Sequence, residues 1–365
     1  MGLFGLKSGF NKIIYFMLKK ALFCFDPERV HKAFIKVGKI ADKSKIIKGI
    51  MSFLFNYEHH SLEQTIFGIK FKNPVGLSAG FDKNAELIDV MSCIGFGFSE
   101  VGSVTALPCA GNNGVRLKRI IYKRGIWVNM GLNNEGALKI RDKLKDQKFK
   151  LPFGINLAKT NCPETVNSEI GLKDYIYSFK TLKNMGNYFT VNISCPNAFG
   201  GQPFSNPKLY EELLYEIDKL KIKKPIFVKL SPDLNKKQID MLLDISLKHN
   251  ISGFVCSNLT KCDEKGGYSG KIVEDKSNKL LAYVYRKVKK ADKNYVLIGS
   301  GGIFSAEDAY EKIKLGANLV QVLTGMIYRG PGLIGEINYG LVRLLKKDGF
   351  DNVGEAVGSW NKNPY

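Results

Sequence analysis

A repeat constrains the fold more than any other feature of the chain: eight short apolar runs, most of them followed by a segment with helical periodicity. The runs cover residues 75–77, 98–101, 153–157, 189–193, 226–230, 253–256, 296–298 and 319–323. Short apolar runs are typical of parallel strands that are buried on both faces, with helices as their crossovers. Eight such units predict an α/β fold, a (β/α)8 TIM barrel. A doubly wound sheet is the competing architecture, but no GxGxxG follows the first run.

Polar or glycine residues follow every one of these runs. They are Ser78 to Lys83, Gly102 to Thr105, Asn156 and Lys159, Asn192, Cys195 and Asn197, Lys229 and Asp233, Ser257 and Asn258, Gly299 to Gly302, and Thr324 with Gly325. In a barrel the carboxyl ends of all strands face one mouth, where the active site lies. The pattern therefore predicts one site built from all eight strand ends.

The last two strand ends predict an anion site. Gly301-Gly302 precedes a helix that opens at Ser305, and Thr324-Gly325 precedes another short helix. Backbone N–H groups in these two loops are where barrels bind phosphate, which implies a phosphorylated substrate or cofactor.

Buried polar side chains suggest the remaining ligand chemistry. Lys229 lies in the middle of a buried strand, so we expect it to face an anionic ring or a carboxylate. Asn156 and Asn192 project from adjacent strands and can bind a planar heterocycle. Cys195 follows the strand that contains Asn192 and is the candidate catalytic residue, since none of the four histidines lies at a predicted strand end. Seven cysteines without a CxxC pair argue against a disulfide framework and against zinc, so no metal is predicted.

Residues 1–60 differ from the rest and are predicted to form a helical extension, with the barrel over residues 61–365. The apolar segment 13–25 is interrupted by Lys19-Lys20, and as a helix it rises about 20 Å against about 30 Å of hydrocarbon. Eleven Lys or Arg against four Asp or Glu give this region a net charge of +7, which suits anionic headgroups. Asp26 and Pro27 should begin a second helix, which ends near residue 40, and a third should cover 46–55. We expect peripheral membrane association; the alternative is a helical lid packed on its own domain.

Several stretches, in order along almost the whole chain, resemble the dihydroorotate dehydrogenase family, and the membrane-associated, quinone-using class most closely. They are Phe25 to His31, Asn73 to Lys83, Phe96 to Thr105, Val191 to Asn197, Gly266 to Gly270 and Gly325 to Pro331. The resemblance implies FMN, dihydroorotate and orotate as ligands, a membrane quinone as electron acceptor, and no nucleic acid. It also implies a peripheral location on the cytoplasmic face of the cell membrane, or on the inner mitochondrial membrane in a eukaryote.

The resemblance assigns residues to the two ligands. FMN would contact Ala79, Gly80, Ser103, Asn156, Asn192, Lys229, Ser257, Gly270, Gly302, Leu323 and Thr324, to which the strand-end pattern adds Lys83 and Gly301. The pyrimidine would contact Lys83, Asn192, Asn197 and Asn258, together with the loop residues Asn129, Met130, Gly131 and Leu132. Cys195 would act as the base that takes a proton from C5, and Lys229 would stabilise the reduced flavin.

The chain departs from the family pattern at three positions. The quinone class has serine as its base, where this chain has Cys195, as in the soluble class. The substrate loop begins Val128-Asn129 where the family has Asn-Arg, and Leu259 replaces a hydroxyl residue. The alternatives are therefore a flavin oxidoreductase for another dihydropyrimidine, an enzyme like tRNA dihydrouridine synthase, and a non-catalytic membrane-surface protein. The synthase needs a helical domain after the barrel, where only about forty residues remain.

Overall fold

The chain folds into a closed parallel barrel of eight strands with three helices ahead of it. The computed structural model describes residues 3–262, 265–291 and 293–361. With elements numbered along the chain, the barrel strands are β3 (Val75–Leu77), β4 (Phe98–Val104), β7 (Phe153–Leu157), β8 (Tyr188–Asn192), β9 (Ile226–Leu230), β10 (Gly253–Cys256), β13 (Val296–Ser300) and β14 (Leu319–Val322). Each pairs in parallel with the next, and β14 closes the barrel on β3. The predicted TIM barrel is confirmed, and each apolar run forms one of its strands.

Helices pack around the outside of the barrel. They are α4 (Ile88–Cys93), α5 (Ala137–Leu144), α6 (Ser168–Leu182), α7 (Pro207–Asp218), α8 (Lys236–Leu247), α9 (Glu274–Val288), α10 (Ala306–Lys314), α11 (Thr324–Arg329), α12 (Leu333–Asp348) and α13 (Val353–Ala356). The apolar faces that predicted them are buried: Leu213, Leu214 and Ile217 of α7 belong to the main hydrophobic core. Helix α10 begins at the predicted place, and Ser305 is its N-cap, since the Ser305 hydroxyl accepts a hydrogen bond from the N–H of Asp308.

The extension consists of α1 (Leu3–Phe23), α2 (Pro27–Lys43) and α3 (Lys45–Phe55). The Asp26 side chain accepts from the backbone N–H of Arg29 at 2.8 Å, which confirms the predicted cap. Helix α1 begins ten residues before the predicted start. The prediction missed these first turns because they mix apolar and polar residues and form no continuous apolar run. One of these, Asn11, donates from Nδ2 to the carbonyl of Leu54 at 2.8 Å and so joins α1 to α3.

Two small antiparallel sheets close the two ends of the barrel, and the sequence did not predict either. The hairpin β1 (Gln64–Ile66) and β2 (Ile69–Phe71) turns through Phe67 and Gly68, both with positive φ. At the amino end of the strands the ring of Phe71 packs edge-on against Phe98, with centroids 5.5 Å apart. The second sheet stands at the mouth and has the order β5 (Leu117–Ile120), β6 (Gly125–Val128), β12 (Gly267–Gly270), β11 (Thr260–Lys261).

The barrel interior is apolar towards the amino ends of the strands, its lower part, and polar towards their carboxyl ends at the mouth. Rings of Phe98, Tyr188 and Phe227 fill the lower part, together with aliphatic side chains. Glycines on neighbouring strands make room for these rings: a Cβ at Gly154 would overlap the ring of Tyr188. In the described part of the chain this bulky layer therefore fills the barrel interior at the amino ends of the strands, and the cavity lies at the mouth.

Gly154→Ala should destabilise the barrel, because the added methyl group has no space beside Tyr188. Overpacking of this kind costs about 1–3 kcal/mol, so the urea midpoint should fall clearly below that of the parent chain. Gly49→Ala is the matched control: it lies within α3 with no neighbour within 4 Å, and it should leave the midpoint unchanged or raise it slightly. Equal midpoints for Gly154→Ala and Gly49→Ala would contradict this account of the interior.

Candidate active site at the barrel mouth

A single cavity of about 440 Å³ extends from the barrel mouth to the helices of the extension. Its wall includes most of the residues assigned to the two ligands from the sequence: Ala79, Gly80, Lys83, Ser103, Met130, Leu132, Asn192, Cys195, Asn197, Lys229, Ser257, Asn258, Gly270, Gly301, Gly302, Leu323 and Thr324. These residues come from seven of the eight barrel strand ends and from the antiparallel sheet. The closed barrel therefore brings together residues that are more than 200 positions apart in the chain.

Three of the assigned residues lie outside this wall. Asn156 is fully buried one layer below, where its Oδ1 accepts from the Ser103 hydroxyl at 2.5 Å. Asn129 is also buried, and its Oδ1 accepts from Nδ2 of Asn112 at 2.6 Å. Gly131 packs against Asn112, so that it supports the loop from behind. Val128 and Asn133, which flank this loop, do line the cavity.

A buried carboxylate that the sequence analysis missed lies directly beneath the site. Glu100 of β4 accepts hydrogen bonds from four side chains on three other strands: Asn156 Nδ2 at 2.8 Å, Gln321 Nε2 at 2.8 Å, Thr190 Oγ1 at 3.0 Å and the Tyr188 hydroxyl at 3.3 Å. The sequence contained a signal for this position. Alternate residues of a strand point to the same side, so Glu100 points into the barrel with Phe98 and Gly102 of the same strand.

Lys229 lies on β9 above this carboxylate and is 5% exposed. Burial lowers the pKa of its ammonium group, while the negative charge of Glu100 acts in the opposite direction. The lysine faces the cavity, as the sequence predicted. It is thus positioned to interact with an anionic or electron-rich group in the cavity.

Amide and hydroxyl groups form a continuous chain across the cavity floor. Asn192 donates from Nδ2 to the Ser103 hydroxyl at 2.9 Å, and Asn258 donates from Nδ2 to Asn192 Oδ1 at 3.1 Å. Asn258 also donates to the Ser194 hydroxyl at 3.0 Å. Because each amide is fixed by its neighbours, the floor presents its remaining polar atoms in set directions.

The glycines of the last two loops form a close-fitting cradle. Gly301 and Gly302 have positive φ, and a Cβ at Gly302 would contact the side chain of Glu274. A Cβ at Gly325 would overlap the carbonyl of Ile303. Side chains are therefore excluded at both places, which leaves the backbone free to approach a ligand closely.

Cys195 and Lys83 are titratable groups of the cavity wall near the amide floor. Burial raises the pKa of the Cys195 thiol; the backbone N–H of Asn197 and the charges of Lys229 and Lys159 partly offset that rise. Burial lowers the pKa of Lys83 to about 8, so a cation and a neutral amine are both accessible near physiological pH.

Towards the extension the cavity becomes an apolar passage. Side chains of α1, α2 and α3 line it, among them Leu22, Val30, Phe34, Ala41 and Met51. Three polar groups interrupt the apolar lining: Tyr15, His31 and Arg119. Burial lowers the pKa of His31 to about 3, which keeps this ring neutral, and raises the pKa of Tyr15 to about 12.

An ion pair holds the extension against the mouth. The Glu28 carboxylate of α2 accepts from both Nε and Nη2 of Arg116, next to β5, and Lys32 adds a contact at 2.9 Å. The Arg116 guanidinium is the main cause that lowers the pKa of Glu28 to about 2. Both partners of this pair are largely buried, so it contributes more than a surface pair would.

Comparison with known proteins identifies clear relatives. The Dihydroorotate dehydrogenase family model matches residues 61–345. The dihydroorotate dehydrogenase (quinone) of Haloarcula marismortui is 37% identical over 355 residues, which are 94% of this chain and 99% of the relative. That of Helicobacter acinonychis is 37% identical over 359 residues, 95% of this chain and 99% of the relative. A crystal structure of the Eimeria tenella dihydroorotate dehydrogenase with ferulenol superposes with a TM-score of 0.80 at 27% identity, covering 93% and 96% of the two chains.

Glu28→Gln should loosen the contact between α2 and the mouth, because it removes the charge that Arg116 binds. Hydrogen exchange of α2 amides at pH 7 should accelerate about tenfold, as for a loss of ~1.4 kcal/mol. In the parent chain the pair is complete above the ordinary carboxyl pKa of 4.5 and is lost as the pH falls towards 2, so α2 should loosen over that range.

Glu169→Gln is the control for this test, since the Glu169–Lys173 pair is 74% exposed at both partners. It should change the exchange of α6 little and that of α2 not at all. Unchanged α2 exchange in Glu28→Gln, after correction for intrinsic rates, would contradict the role of the ion pair.

Proposed function

The chain belongs to the dihydroorotate dehydrogenase family, and from that membership we propose that its cavity binds FMN and dihydroorotate with Cys195 as the catalytic base. The enzyme oxidises dihydroorotate to orotate in pyrimidine biosynthesis, and its relatives' names point to a quinone as acceptor. One observation supports the site assignment above all others. The glycine cradle, the amide floor, Cys195 and the apolar passage all belong to one cavity.

The residues present fit a phosphorylated flavin. The cradle at Gly302 and Gly325 has the close backbone approach that a phosphate needs. Beneath the mouth, Gln321 Oε1 is buried and lacks a hydrogen-bond partner among the described residues, so an acceptor is available in the cavity wall. We therefore assign FMN to Ala79, Gly80, Lys83, Ser103, Asn192, Lys229, Ser257, Gly270, Gly301, Gly302, Leu323 and Thr324, with Asn156 supporting Ser103.

The pyrimidine fits the remaining part of the wall. Lys83 in its protonated form offers a cation to the substrate carboxylate, and Asn192, Asn197 and Asn258 offer amides to the ring. Asn197 Oδ1 is buried and has no partner among the described residues, which leaves it free to accept from a ring N–H. Met130 and Leu132 contribute apolar contacts from the loop that Asn129 and Gly131 support.

The chemistry removes one proton and one hydride from the substrate. A bound flavin would supply the acceptor for the hydride from C6. The Cys195 thiolate takes the proton from C5 and becomes a thiol, and the C5–C6 bond becomes a double bond. The protonated form of Lys229 would stabilise negative charge on a reduced flavin, because its buried position leaves little water to screen the interaction.

A second candidate substrate is favoured by Val128. This apolar side chain lines the cavity at a position where the family has an asparagine, and Leu259 lines it nearby. An oxidoreductase for another dihydropyrimidine would have fewer polar contacts to make at these two positions. Dihydrouracil, which lacks the carboxylate, distinguishes the two candidates.

We propose that residues 1–60 are the quinone-binding and membrane-associating part of the chain and residues 61–365 the catalytic barrel. None of the helices in the described residues is long and apolar enough to cross a bilayer. Helix α1 nevertheless exposes a stripe with helical spacing, Leu6, Phe10, Ile13 and Met17, each about 60% exposed. Helix α3 exposes Ile46, Ile50 and Phe53 in the same way. These stripes support peripheral association with the cytoplasmic face of the cell membrane, or with the inner mitochondrial membrane in a eukaryote.

Anaerobic mixing of the purified flavoprotein with dihydroorotate tests the proposed reaction. The flavin absorbance should bleach rapidly, and dihydrouracil should bleach it far more slowly. Cys195→Ala should keep its yellow colour and lose at least a hundredfold in the bleaching rate, because general base catalysis contributes about 10²–10⁴-fold. Cys162→Ala, also a half-buried cysteine but outside the cavity wall, is the matched control and should bleach normally.

Normal bleaching of Cys195→Ala would remove this thiol from the mechanism while leaving the substrate assignment intact. Faster bleaching by dihydrouracil would favour the second candidate. A purified chain that binds neither FMN nor riboflavin would overturn the cofactor assignment.

The membrane assignment predicts that Phe10→Ser with Met17→Ser lowers binding to vesicles. Each side chain is 59% exposed, and both belong to the apolar stripe of α1. Their replacement removes apolar surface from this stripe, so the partition coefficient between vesicles and water should fall at least tenfold. Flotation with vesicles of phosphatidylcholine and phosphatidylglycerol measures it, and added salt should weaken the parent chain's binding. Tyr215→Ser with Leu247→Ser removes exposed apolar side chains from α7 and α8 and should bind like the parent. Equal binding of both double variants would contradict the assignment.

A further inference from the structure

The loop that carries Cys195 is held from outside by the loop that follows β7. Lys159 donates from Nζ to the carbonyl of Phe199 at 2.6 Å and to the Thr165 hydroxyl at 3.2 Å. Asn161 accepts at Oδ1 from the N–H of Phe199 at 2.7 Å. Both backbone groups of one residue, four positions after Cys195, are thus bound by side chains of a single neighbouring segment.

Among the described residues, the ring of Phe199 belongs to none of the hydrophobic clusters. Its ring is 52% exposed, and the following Gly200 and Gly201 both have positive φ. Glycines have no side chain that could pack, and the exposed ring buries little surface, so these residues do little to fix the backbone conformation of the loop. The position of this part of the loop therefore depends on the polar contacts from Lys159 and Asn161.

The same asparagine reaches the loop at the other side of the pyrimidine site. Asn161 donates from Nδ2 to the carbonyl of Gly131 and to Asn112 Oδ1, each at 3.0 Å. Asn112 in turn donates from Nδ2 to the carbonyl of Asn197 at 3.2 Å and to Asn129 Oδ1 at 2.6 Å. The Asn112–Asn161 pair joins the loop of Cys195 to the loop at 129–133, so the two walls of the pyrimidine site share one hydrogen-bond network.

Lys159 also brings a charge to this place. It is 3% exposed, and no carboxylate of the described residues forms an ion pair with it. Asp174, the carboxylate whose charge acts on Lys159, accepts from the N–H of Thr160 at 2.8 Å and from its hydroxyl. The titratable groups that face Lys159 are Asp174 and three thiols, those of Cys109, Cys162 and Cys195.

We propose that Lys159 and Asn161 are positioning residues for Cys195: they clamp its loop through both backbone groups of Phe199. Lys159 in addition favours the thiolate by its charge, and Asn161 couples the loop to the 129–133 segment. This inference rests on the proposed role of Cys195 as base. The groups that act on this thiol are then Lys159 from the end of β7, Lys229 from β9 and the N–H of Asn197 on its own loop.

Alkylation of Cys195 by iodoacetamide, followed by mass spectrometry from pH 6 to 10 on the flavin-loaded full chain, tests the proposal. The midpoint of the rate profile reports the thiol pKa, and the plateau at high pH reports access to the loop. Lys159→Met should raise the midpoint, because it removes a charge that favours the thiolate, and should raise the plateau several-fold because it also removes a contact that holds the loop. Asn161→Ala should raise the plateau and leave the midpoint unchanged.

Three controls accompany these variants. Lys159→Arg keeps the charge and should keep the midpoint of the parent chain. Lys224→Met removes a half-buried lysine that lies away from the cavity, where it donates to the carbonyl of Met185 at 2.8 Å, and should change neither midpoint nor plateau. The exposed Cys24 in the same digest is an internal reference whose alkylation should be equal in every variant.

The outcomes separate this proposal from the function on which it rests. Parent-like midpoints and plateaus in both Lys159→Met and Asn161→Ala would overturn the clamp, whatever the activity. Full turnover of Cys195→Ala would overturn the base assignment, while the alkylation shifts would still establish the clamp. If Lys159→Met does not fold, the plateau of Asn161→Ala decides: a rise supports the clamp and an unchanged plateau overturns it. If both roles hold, the pH profile of dihydroorotate oxidation should move to higher pH in Lys159→Met by the same amount as the thiol midpoint.

Discussion

The buried carboxylate of Glu100 is the constraint on which the rest of the site depends. A carboxylate inside a barrel is tolerated only when donors surround it, and here four side chains from β7, β8 and β14 supply them. Those contacts fix the inward side chains of three strands at one height. They also place Glu100 below Lys229, where its charge opposes the lowering of the lysine pKa by burial. The floor of the site is therefore determined from beneath, before any ligand contributes.

The walls follow a different physical rule. Around the mouth, positions are fixed by amides and backbone groups that bind one another across loops, as Asn258, Asn192 and Ser103 do. Towards the extension the wall is mostly apolar, and the pair Glu28–Arg116 joins α2 to the segment beside β5. The polar wall and the apolar passage thus belong to one cavity. Hydrogen bonds between amides hold the polar wall, and an ion pair holds the helices of the passage. This division suits a reaction in which a polar substrate and an apolar acceptor must reach the same cofactor.

The sequence predicted the parts that depend on local pattern. Each barrel strand is a short apolar run, and Asp26 with Pro27 marks the start of α2, because capping and burial on both faces leave a direct trace in the residues. The antiparallel sheet at the mouth left no such trace, since its strands have two to four residues with mixed polarity. The direction in which a side chain points could also not be predicted from the residue type alone. Asn129 turns to Asn112, and Asn156 lies beneath Ser103, because tertiary hydrogen bonds decide which way an amide points. The Asn112–Asn161 pair joins segments about fifty residues apart, and nothing local to either segment indicates it.

The hairpin at the amino end of the barrel has a practical consequence. Its turn at Phe67 and Gly68 is open to solvent, and a Cβ at Gly68 would meet nothing within 4 Å. The aromatic layer of Phe71, Phe98 and Tyr188 separates this turn from the cavity by the full depth of the barrel. A fluorophore, an affinity handle or a surface tether attached there would leave both the cavity at the barrel mouth and the three helices of the extension unobstructed, which makes this turn a natural point of immobilisation for single-molecule or electrode work.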